Sequence, residues 1–281
     1  MSDVASILEA LADVAATVPG RLSTLGDDVV GENPTGDAQS AADRWLDERL
    51  AERLTPLDAV GTYLSEERAD AVDCGSGLSV AVDPLDGSSN LKSNNPIGTI
   101  LGVYDAPLPA RGTDVVASAL VVYGPRITVS VAADGEATRY VVDDGALVDP
   151  RPLSVADGAE ICGYAGRASE WRPAFRAFAR ELSRERKLRY CGAAVADVQY
   201  LFERGGLLCY PADDARADGV LRLQYEANPI AHLVETAGGR ASDGSGPIRE
   251  REPTTLHERV QTFVGTAADV DALESHLDAD R

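Results

Sequence analysis

The nine-residue segment VDPLDGSSN at positions 82–90 restricts the possible folds of this chain more than any other feature of the sequence. It begins where the apolar run LSVAV (78–82) ends, and such a run is typical of a buried β-strand. Pro84 fixes one backbone dihedral between two acidic residues, so the carboxylates of Asp83 and Asp86 can face one point at the strand's end. The string therefore predicts a strand that ends in a preorganised, doubly acidic turn.

The residues that follow Asp86 have the chemistry of an anion site. Gly87, Ser88 and Ser89 can present backbone N–H groups and hydroxyls to one phosphate. Two carboxylates beside such donors require hard cations between them, and Mg²⁺ is the simplest choice. We therefore expect a metal-assisted phosphate site. The plain structural alternative is a glycine-containing Asx turn, which many loops contain.

Four further acidic residues fit around this site. Glu66 and Glu67 follow the apolar run 60–64, and their side chains point in different directions, so one can bind metal while the other acts on water. A solvated pair of glutamates is the alternative. Glu226 ends another apolar run. Asp43 lies near the start of a predicted helix, where one acidic residue usually just compensates the helix dipole.

Hydrophobic spacing predicts a mixed first half of the chain. Apolar residues at spacings of three and four predict a helix from Val4 to Val14, which Pro19-Gly20 should stop. A loop should follow over 25–36, and then a second helix with Trp45, Leu46, Leu50 and Leu54 on one face. Five β-rich runs come next, the later ones separated by Asp-Gly turns that indicate antiparallel hairpins. They occupy 78–82, 97–104, 117–124, 127–132 and 138–142.

The second half alternates helices with strands, which suggests α/β layers. Predicted helices lie at 171–184, 195–202 and 230–237, and predicted strands at 187–190, 207–211, 220–224 and 262–264. Pro150-Arg151-Pro152 is a plausible junction. We therefore expect an α+β domain over 1–152 that carries the metal site, and an α/β domain over 153–281 that completes the substrate site.

The charge balance excludes several classes of partner. The net charge of −20 argues against nucleic acids and anionic membranes, because both need positive protein faces. The chain has two lysines and 24 arginines, and only 5% of its residues are aromatic. This composition favours adaptation to concentrated salt, where screening is short-ranged, over an ordinary acidic cytosolic protein.

Cysteine usage and hydropathy point to the cytoplasm. The four cysteines form no CxxC pair, and only three histidines could help them bind zinc. Buried free thiols in a reducing compartment are therefore the expected state. No apolar run reaches 18 residues, so we expect neither a signal peptide nor a membrane-spanning helix.

Together the motifs resemble class I fructose-1,6-bisphosphatase, within the superfamily of Mg²⁺-dependent, lithium-sensitive sugar-phosphate and inositol-phosphate phosphatases. The resemblance runs from about Asn33 to Val270. It rests on NxxGD at 33–37, SEE at 65–67, DPLDGSSN at 83–90, RYxGxxVADV at 189–198, GGxxxYP at 205–211 and LRLxYExNP at 221–229. It implies a layered α-β-α-β-α sandwich of the sugar-phosphatase type that hydrolyses fructose 1,6-bisphosphate to fructose 6-phosphate in gluconeogenesis. It also implies two or more Mg²⁺ ions per site and a homo-oligomer, either a dimer or a tetramer.

The resemblance also assigns roles to individual positions. It implies that Glu67 and Asp43 orient and deprotonate the attacking water. The implied metal ligands are Glu66, Asp83, Leu85 through its carbonyl, Asp86 and Glu226. The implied substrate-binding residues are Asp86, Gly87, Ser88, Ser89, Tyr164, Tyr190, Tyr210 and Arg189, the last reaching in from a neighbouring subunit.

The sequence departs from the family pattern around the distal phosphate. Val220 stands where the family has a lysine that binds this group, and Ile161-Cys162 replaces an Asn-Glu pair. A sedoheptulose-1,7-bisphosphatase, or a phosphatase acting on both sugars, is therefore the closest alternative. An inositol or nucleotide phosphatase is disfavoured by the SSN ending. A non-catalytic sugar-phosphate sensor is disfavoured because all six carboxylates are present.

Overall fold

The structure is a computed structural model that describes residues 3–25 and 29–279. Part of the predicted loop, at 26–28, lies outside the described residues. The described residues form six α-helices: α1 (Asp3–Leu22), α2 (Ala41–Leu54), α3 (Pro173–Glu185), α4 (Ala194–Arg204), α5 (Asn228–Thr236) and α6 (Ala267–Asp278). None of these helices is long and apolar enough to cross a membrane.

The strands of the first half are β1 (Val29–Glu32), β2 (Ala38–Ser40), β3 (Val60–Ser65), β4 (Val72–Asp73), β5 (Leu78–Asp86), β6 (Ile97–Tyr104), β7 (Val115–Tyr123), β8 (Ile127–Ala133), β9 (Glu136–Asp143) and β10 (Ala146–Pro152). Those of the second half are β11 (Ile161–Tyr164), β12 (Lys187–Leu188), β13 (Gly206–Tyr210), β14 (Leu221–Arg222), β15 (Arg240–Ser242), β16 (Arg259–Val260) and β17 (Thr262–Gly265).

Eight strands form a large sheet in the order β10-β9-β8-β7-β6-β5-β3-β4. Each neighbouring pair is antiparallel except β3 and β5, which are parallel. Two-residue turns at Asp134-Gly135 and Asp144-Gly145 join β8 to β9 and β9 to β10, and all four of these residues have positive φ. This is the geometry that Asp-Gly hairpins favour, so the predicted hairpins are confirmed.

A smaller sheet has the order β12-β11-β13-β17-β15 and is parallel on one side of β13 and antiparallel on the other. Helices α1 and α2 cover one face of the large sheet, and α4 and α5 pack between the two sheets. Helices α3 and α6 cover the outer face of the smaller sheet. The order of layers is α-β-α-β-α, which confirms the predicted fold class. All four cysteines are free thiols.

Several local predictions were wrong. Helix α1 contains Pro19 and continues through Pro19-Gly20 to Leu22, so this pair does not stop it. The predicted loop at 25–36 contains strand β1, which pairs antiparallel with β2 directly after the loop. The predicted strand at 220–224 pairs only through Leu221–Arg222, and the chain then enters a π-helical turn. Pro150-Arg151-Pro152 forms the end of β10, an edge strand, where proline is tolerated, and the domain junction expected there stays a prediction.

Candidate active site

One polar cavity of about 360 Å³ contains most of the acidic residues singled out in the sequence. The carboxyl ends of β3 and β5 meet there, because the two strands are parallel neighbours. SEE begins at the last residue of β3, and DPLD forms the last four residues of β5, which extends beyond the predicted run 78–82. Three further segments complete the walls of the cavity: the start of α2, the turn before α5 and the segment before α4. Among the predicted site residues, those lining the cavity are Asp43, Glu66, Glu67, Asp83, Leu85, Asp86, Gly87, Ser88, Ser89, Tyr190, Tyr210 and Glu226.

The two aspartates of β5 are buried and held by backbone N–H groups. Asp83 Oδ1 accepts a hydrogen bond from the Leu85 amide at 3.0 Å, which closes the turn that Pro84 preorganises. Asp86 Oδ2 accepts from the Val195 amide at 2.8 Å, in the first turn of α4. The helix N-terminus therefore orients this carboxylate and stabilises its charge.

The phosphate-sized loop after β5 depends on a glycine. Gly87 has a φ of 77°, and a Cβ atom added there would lie 2.4 Å from the Cβ of Ala193. Asn90 then ties the loop to the segment before α4, since its side-chain N–H donates to the Cys191 carbonyl at 2.9 Å. Ser88 and Ser89 are thereby held at the cavity wall, beside Asp86.

Glu226 reaches the cavity from the π-helical turn Leu223–Ala227. Its Oε2 accepts from the Arg222 amide at 2.6 Å. Asp83, Asp86 and Glu226 each place one carboxylate oxygen within 4.8 Å of the others. Three buried carboxylates at this spacing suit a hard cation such as Mg²⁺, Mn²⁺ or Ca²⁺, so this group could hold a metal ion.

Burial and mutual repulsion raise the pKa values of this cluster. Burial, with the neighbouring charges of Glu66 and Asp86, raises the pKa of Asp83 well above its usual range. Burial raises the pKa of Asp86 to about 8 despite the amide of Val195. Burial also raises the pKa of Glu66 to about 8, although the positive charge of Arg222 acts to lower that pKa. Without a cation these buried carboxyl groups therefore resist ionisation, which is the behaviour expected of a site whose charge a bound cation would balance.

Glu67 and Asp43 lie on another side of the cavity. Asp43 forms a capping box with Ser40, whose amide donates to Asp43 Oδ2 at 2.6 Å, so it compensates the α2 dipole and faces the cavity as well. Burial raises the pKa of Asp43, and the neighbouring hydroxyls of Ser40 and Ser88 oppose that rise. Burial, together with the Asp43 charge, raises the pKa of Glu67 to about 7, while a bond from Gln39 opposes the rise.

Two predicted substrate-binding residues do not line the cavity. Tyr164 is buried, with its hydroxyl donating to the Ala179 carbonyl at 3.2 Å and its ring 5.6 Å from that of Trp171. Arg189 is exposed and donates to the carbonyl of Leu188 at 2.9 Å. The structure holds one chain, so the expected reach of Arg189 into a neighbouring subunit stays a prediction.

Several residues without a predicted role line the same cavity: Asn33, Asp37, Arg216, Arg222 and Arg259. Asn33 and Asp37 belong to the NxxGD motif, and Arg222 to LRLxYE, so their motifs were visible although their roles were not. Asn33 donates to Glu66 Oε1 at 3.1 Å. Arg222 lies 2.6 Å from the same oxygen and also bonds Asp37. Burial raises the pKa of Asp37, but Arg222 and Arg259 outweigh it and hold that pKa below its usual value.

Comparisons with known proteins match nearly the whole chain. The family models for the fructose-1-6-bisphosphatase N-terminal and C-terminal domains match residues 4–147 and 155–278. A class 1 fructose-1,6-bisphosphatase of Halobacterium salinarum is 44% identical over 287 residues, covering 99% of this chain and 98% of the relative. One from Natronomonas pharaonis is 45% identical over 250 residues, covering 88% of each chain.

Solved structures show the same fold. Leishmania major fructose-1,6-bisphosphatase in its holo form superposes with a TM-score of 0.90 at 28% identity, covering 98% of this chain and 94% of that one. A putative sedoheptulose-1,7-bisphosphatase from Toxoplasma gondii superposes with a TM-score of 0.89 at 28% identity, covering 99% and 95%.

Proposed function

Because the chain belongs to the class 1 fructose-1,6-bisphosphatase family, we propose that it hydrolyses the 1-phosphate of fructose 1,6-bisphosphate, giving fructose 6-phosphate and inorganic phosphate. The observation that carries the proposal is the buried group Asp83, Asp86 and Glu226, which opens into the cavity beside the Gly87–Ser89 loop. In a cell this reaction would serve gluconeogenesis in the cytoplasm. The resemblance to proteins of Halobacterium and Natronomonas, with the charge of −20, supports work in concentrated salt.

The proposed metal ligands are Glu66, Asp83, the Leu85 carbonyl, Asp86 and Glu226, and they would hold two or more Mg²⁺ ions. When bound, these ions would neutralise the negative charge of the phosphate, lower the pKa of the attacking water and stabilise the charge on the leaving oxygen. Asp86 contributes to both parts of the site, since the serine loop begins directly after it. Gly87, Ser88 and Ser89 bind the reacting phosphate through N–H and O–H donors and fix its orientation.

Glu67 and Asp43 hold the attacking water and accept its proton. A pKa of about 7 at Glu67 suits proton transfer near neutral pH, because a group titrating there can both accept and release the proton. Asp43 is fixed by its capping box, which keeps the second carboxylate in place during turnover. Tyr190 and Tyr210 bind the distal part of the substrate, and Arg189 of a neighbouring subunit completes that end in the proposed dimer or tetramer.

This division of labour matches the proposed domains. The first, over 1–152, supplies Asp43, Glu66, Glu67 and the β5 turn. The second, over 153–281, supplies Glu226, the two tyrosines and Arg189. A substrate bound between them would contact both.

The test is phosphate release in molar KCl with and without MgCl₂, over fructose 1,6-bisphosphate, sedoheptulose 1,7-bisphosphate, fructose 6-phosphate and inositol 1-phosphate. We expect metal-dependent release from fructose 1,6-bisphosphate. Asp86→Ala should abolish it, because the substitution removes a metal ligand and leaves the other carboxylates to repel one another. Asp149→Ala, which changes an exposed carboxylate paired with Arg151, is the control and should retain activity. Near-normal turnover by Asp86→Ala at saturating MgCl₂ contradicts the assignment.

Sedoheptulose-1,7-bisphosphatase activity is the second candidate. It is favoured by Val220 at the cavity wall and by the likeness to the Toxoplasma structure. Faster release from the seven-carbon sugar than from fructose 1,6-bisphosphate would select it. A sensor would instead bind both sugars, measured by calorimetry, and release no phosphate from either.

A further inference from the structure

Three arginines line the cavity, and two of them are engaged by its own acidic and carbonyl groups. Arg222 lies 2.6 Å from Glu66 and bonds Asp37. Arg259 donates to Asp37 at 2.8 Å and to the Val220 carbonyl at 2.8 Å. Both guanidinium groups therefore neutralise negative charge that the protein itself supplies, and they have little capacity left for an anionic ligand.

Arg216 is different. Its Nη2 lies 3.3 Å from Asp213 Oδ2, and the described part of the chain shows no bond to its other side-chain nitrogens. The Arg216 side chain is 41% exposed, whereas that of Asp213 is 1% exposed. Asp213 is in turn fixed by the amides of Ala215 and Arg216, at 3.0 and 2.7 Å. A buried, immobile carboxylate thus anchors one corner of a guanidinium whose remaining donors are open.

The open side of Arg216 belongs to the tyrosine part of the cavity. Tyr190 and Tyr210 line the cavity with Arg216, and their ring centroids are 6.5 Å apart. Burial and the carboxylates of Asp197 and Asp86 raise the pKa of Tyr190 to about 12, and the charge of Arg216 partly opposes that rise. The guanidinium therefore acts electrostatically at the Tyr190 hydroxyl. The Tyr210 hydroxyl donates to Asp197 Oδ2 at 3.2 Å, so the hydroxyl of Tyr190 and the guanidinium of Arg216 are the groups that suit a second phosphate at this end of the cavity.

We propose that Arg216 binds the distal phosphate of a sugar bisphosphate and so sets the preference for bisphosphates over monophosphates, with Asp213 as its positioning residue. The inference rests on the proposed function, which places the other phosphate at the Gly87–Ser89 loop. A guanidinium can bond two phosphate oxygens at once, and such direct contacts persist where salt screens long-range attraction.

The test measures binding and turnover separately. Fructose 6-phosphate carries only the distal phosphate, so its dissociation constant, from calorimetry in molar KCl, reports that contact without catalysis. Arg216→Ala and Arg216→Gln should weaken it by about tenfold to hundredfold, the range for hydrogen bonds to charged groups. KM for fructose 1,6-bisphosphate should rise similarly, while KM and kcat for fructose 1-phosphate stay unchanged.

Matched variants separate the role of Arg216 from a structural one. Arg167→Ala is the control, because Arg167 also forms an ion pair three residues along the chain, with Glu170, but does not line the cavity. It should leave binding intact. Val220→Lys added to Arg216→Ala returns a cation to the same cavity and should restore affinity for fructose 6-phosphate. Asp213→Asn should weaken binding less than Arg216→Ala, because the guanidinium remains.

The two proposals fail in different ways. If the wild-type protein releases no phosphate from any sugar bisphosphate, the proposed function is wrong. If it does, and Arg216→Ala binds fructose 6-phosphate as tightly as wild type, then Arg216 is not the distal ligand. Circular dichroism verifies folding of each variant. Arg216→Lys keeps a charge but makes no paired bonds, so it should bind fructose 6-phosphate more tightly than Arg216→Ala and less tightly than wild type. Equal weakening by Arg167→Ala would also overturn the inference.

Discussion

Removing divalent cations should make the stability of this protein fall as the pH rises. In the folded chain the pKa values of Glu66 and Asp86 are raised to about 8, from 4.5 and 3.8. Between about pH 4 and about pH 8 the folded state therefore holds protons that the unfolded state has released. The free energy of unfolding must decrease with pH across this window, and the loss is complete once the folded-state pKa is passed.

The size of the effect follows from the same values. For Glu66, the difference between 4.5 and about 8 corresponds to about 5 kcal/mol, at about 1.4 kcal/mol per pH unit. Asp83 and Asp86 share its neighbours, so we take about 5 kcal/mol for the cluster and do not add its members. Domains are stable by about 5–15 kcal/mol, so the metal-free protein should lose much of its stability at the alkaline end. Bound cations replace the lost protons and restore it.

The assay is thermal unfolding by circular dichroism in molar KCl, with EDTA or with MgCl₂, from about pH 5 to about pH 8. The rise in Tm caused by MgCl₂ should be small at the acidic end and large at the alkaline end. Asp86→Asn keeps an oxygen for the Val195 amide but removes a charge. It should therefore raise the Tm of the metal-free protein at alkaline pH and reduce the response to MgCl₂.

Asp47→Asn provides the contrast. Asp47 is also buried, but Arg68 pairs with it at 2.9 Å and Tyr63 bonds it at 3.1 Å, so its loss should lower Tm with or without MgCl₂. The reasoning is refuted if the EDTA-treated protein has the same Tm at both ends of the pH range. A metal-free Tm lowered by Asp86→Asn would refute it equally.

Three further outcomes are expected. Lowering KCl from about 2 M to about 0.1 M should lower Tm, because the Debye length grows from a few ångströms to about 10 Å and the acidic residues of this chain, with its net charge of −20, then repel one another more strongly. An unchanged Tm would contradict the high-salt interpretation. Gly87→Ala should abolish phosphate release with little change in circular dichroism, since the new Cβ would collide with Ala193; wild-type turnover would show that the loop can shift freely. Arg189→Ala should raise KM for the bisphosphate more than KM for a monophosphate. Mixing this variant with Asp86→Ala should partly restore bisphosphate affinity, because hybrid oligomers would contain some sites with both residues intact. No restoration would argue against a site shared between subunits.

Features encoded within a few neighbouring residues were predictable from the sequence. The β5 run and its DPLDG turn, the Asp-Gly hairpins and the apolar face of α2 each depend on local backbone preferences and periodicity. The layered fold followed from the resemblance, and the structure confirms it. Residues 66–67 and 83–86 were placed in one site by the family resemblance. The structure brings them together because β3 and β5 are parallel neighbours whose carboxyl ends lie at one edge of the sheet.

Features that depend on tertiary contacts were not predictable in this way. The apolar run at 220–224 reads as a strand, but burial of Gln224 and its bonds to both backbone groups of Ala110 favour a π-helical turn that presents Glu226. Tyr164 carries a polar group that suits a binding site, yet packing against Trp171 and Phe175 turns it toward α3. In both cases the conformation depends on a contact with a residue that is distant in sequence or lies on another element. The hydrophobic periodicity of a segment does not reveal such contacts.

The cations of the cavity illustrate this limit and also explain how so acidic a chain can receive an anion. Arg216, Arg222 and Arg259 come from three separate segments, and none lies in a basic motif. In molar salt the Debye length is about 3 Å, so the 46 acidic residues repel a phosphate only weakly from a distance, and attraction at long range is equally weak. If the proposed function is right, binding would depend on direct contacts, with cations at the carboxylates at one end of the cavity and the Arg216 guanidinium at the other. Arginine suits this better than lysine, since its planar group makes paired, directional bonds that screening weakens little.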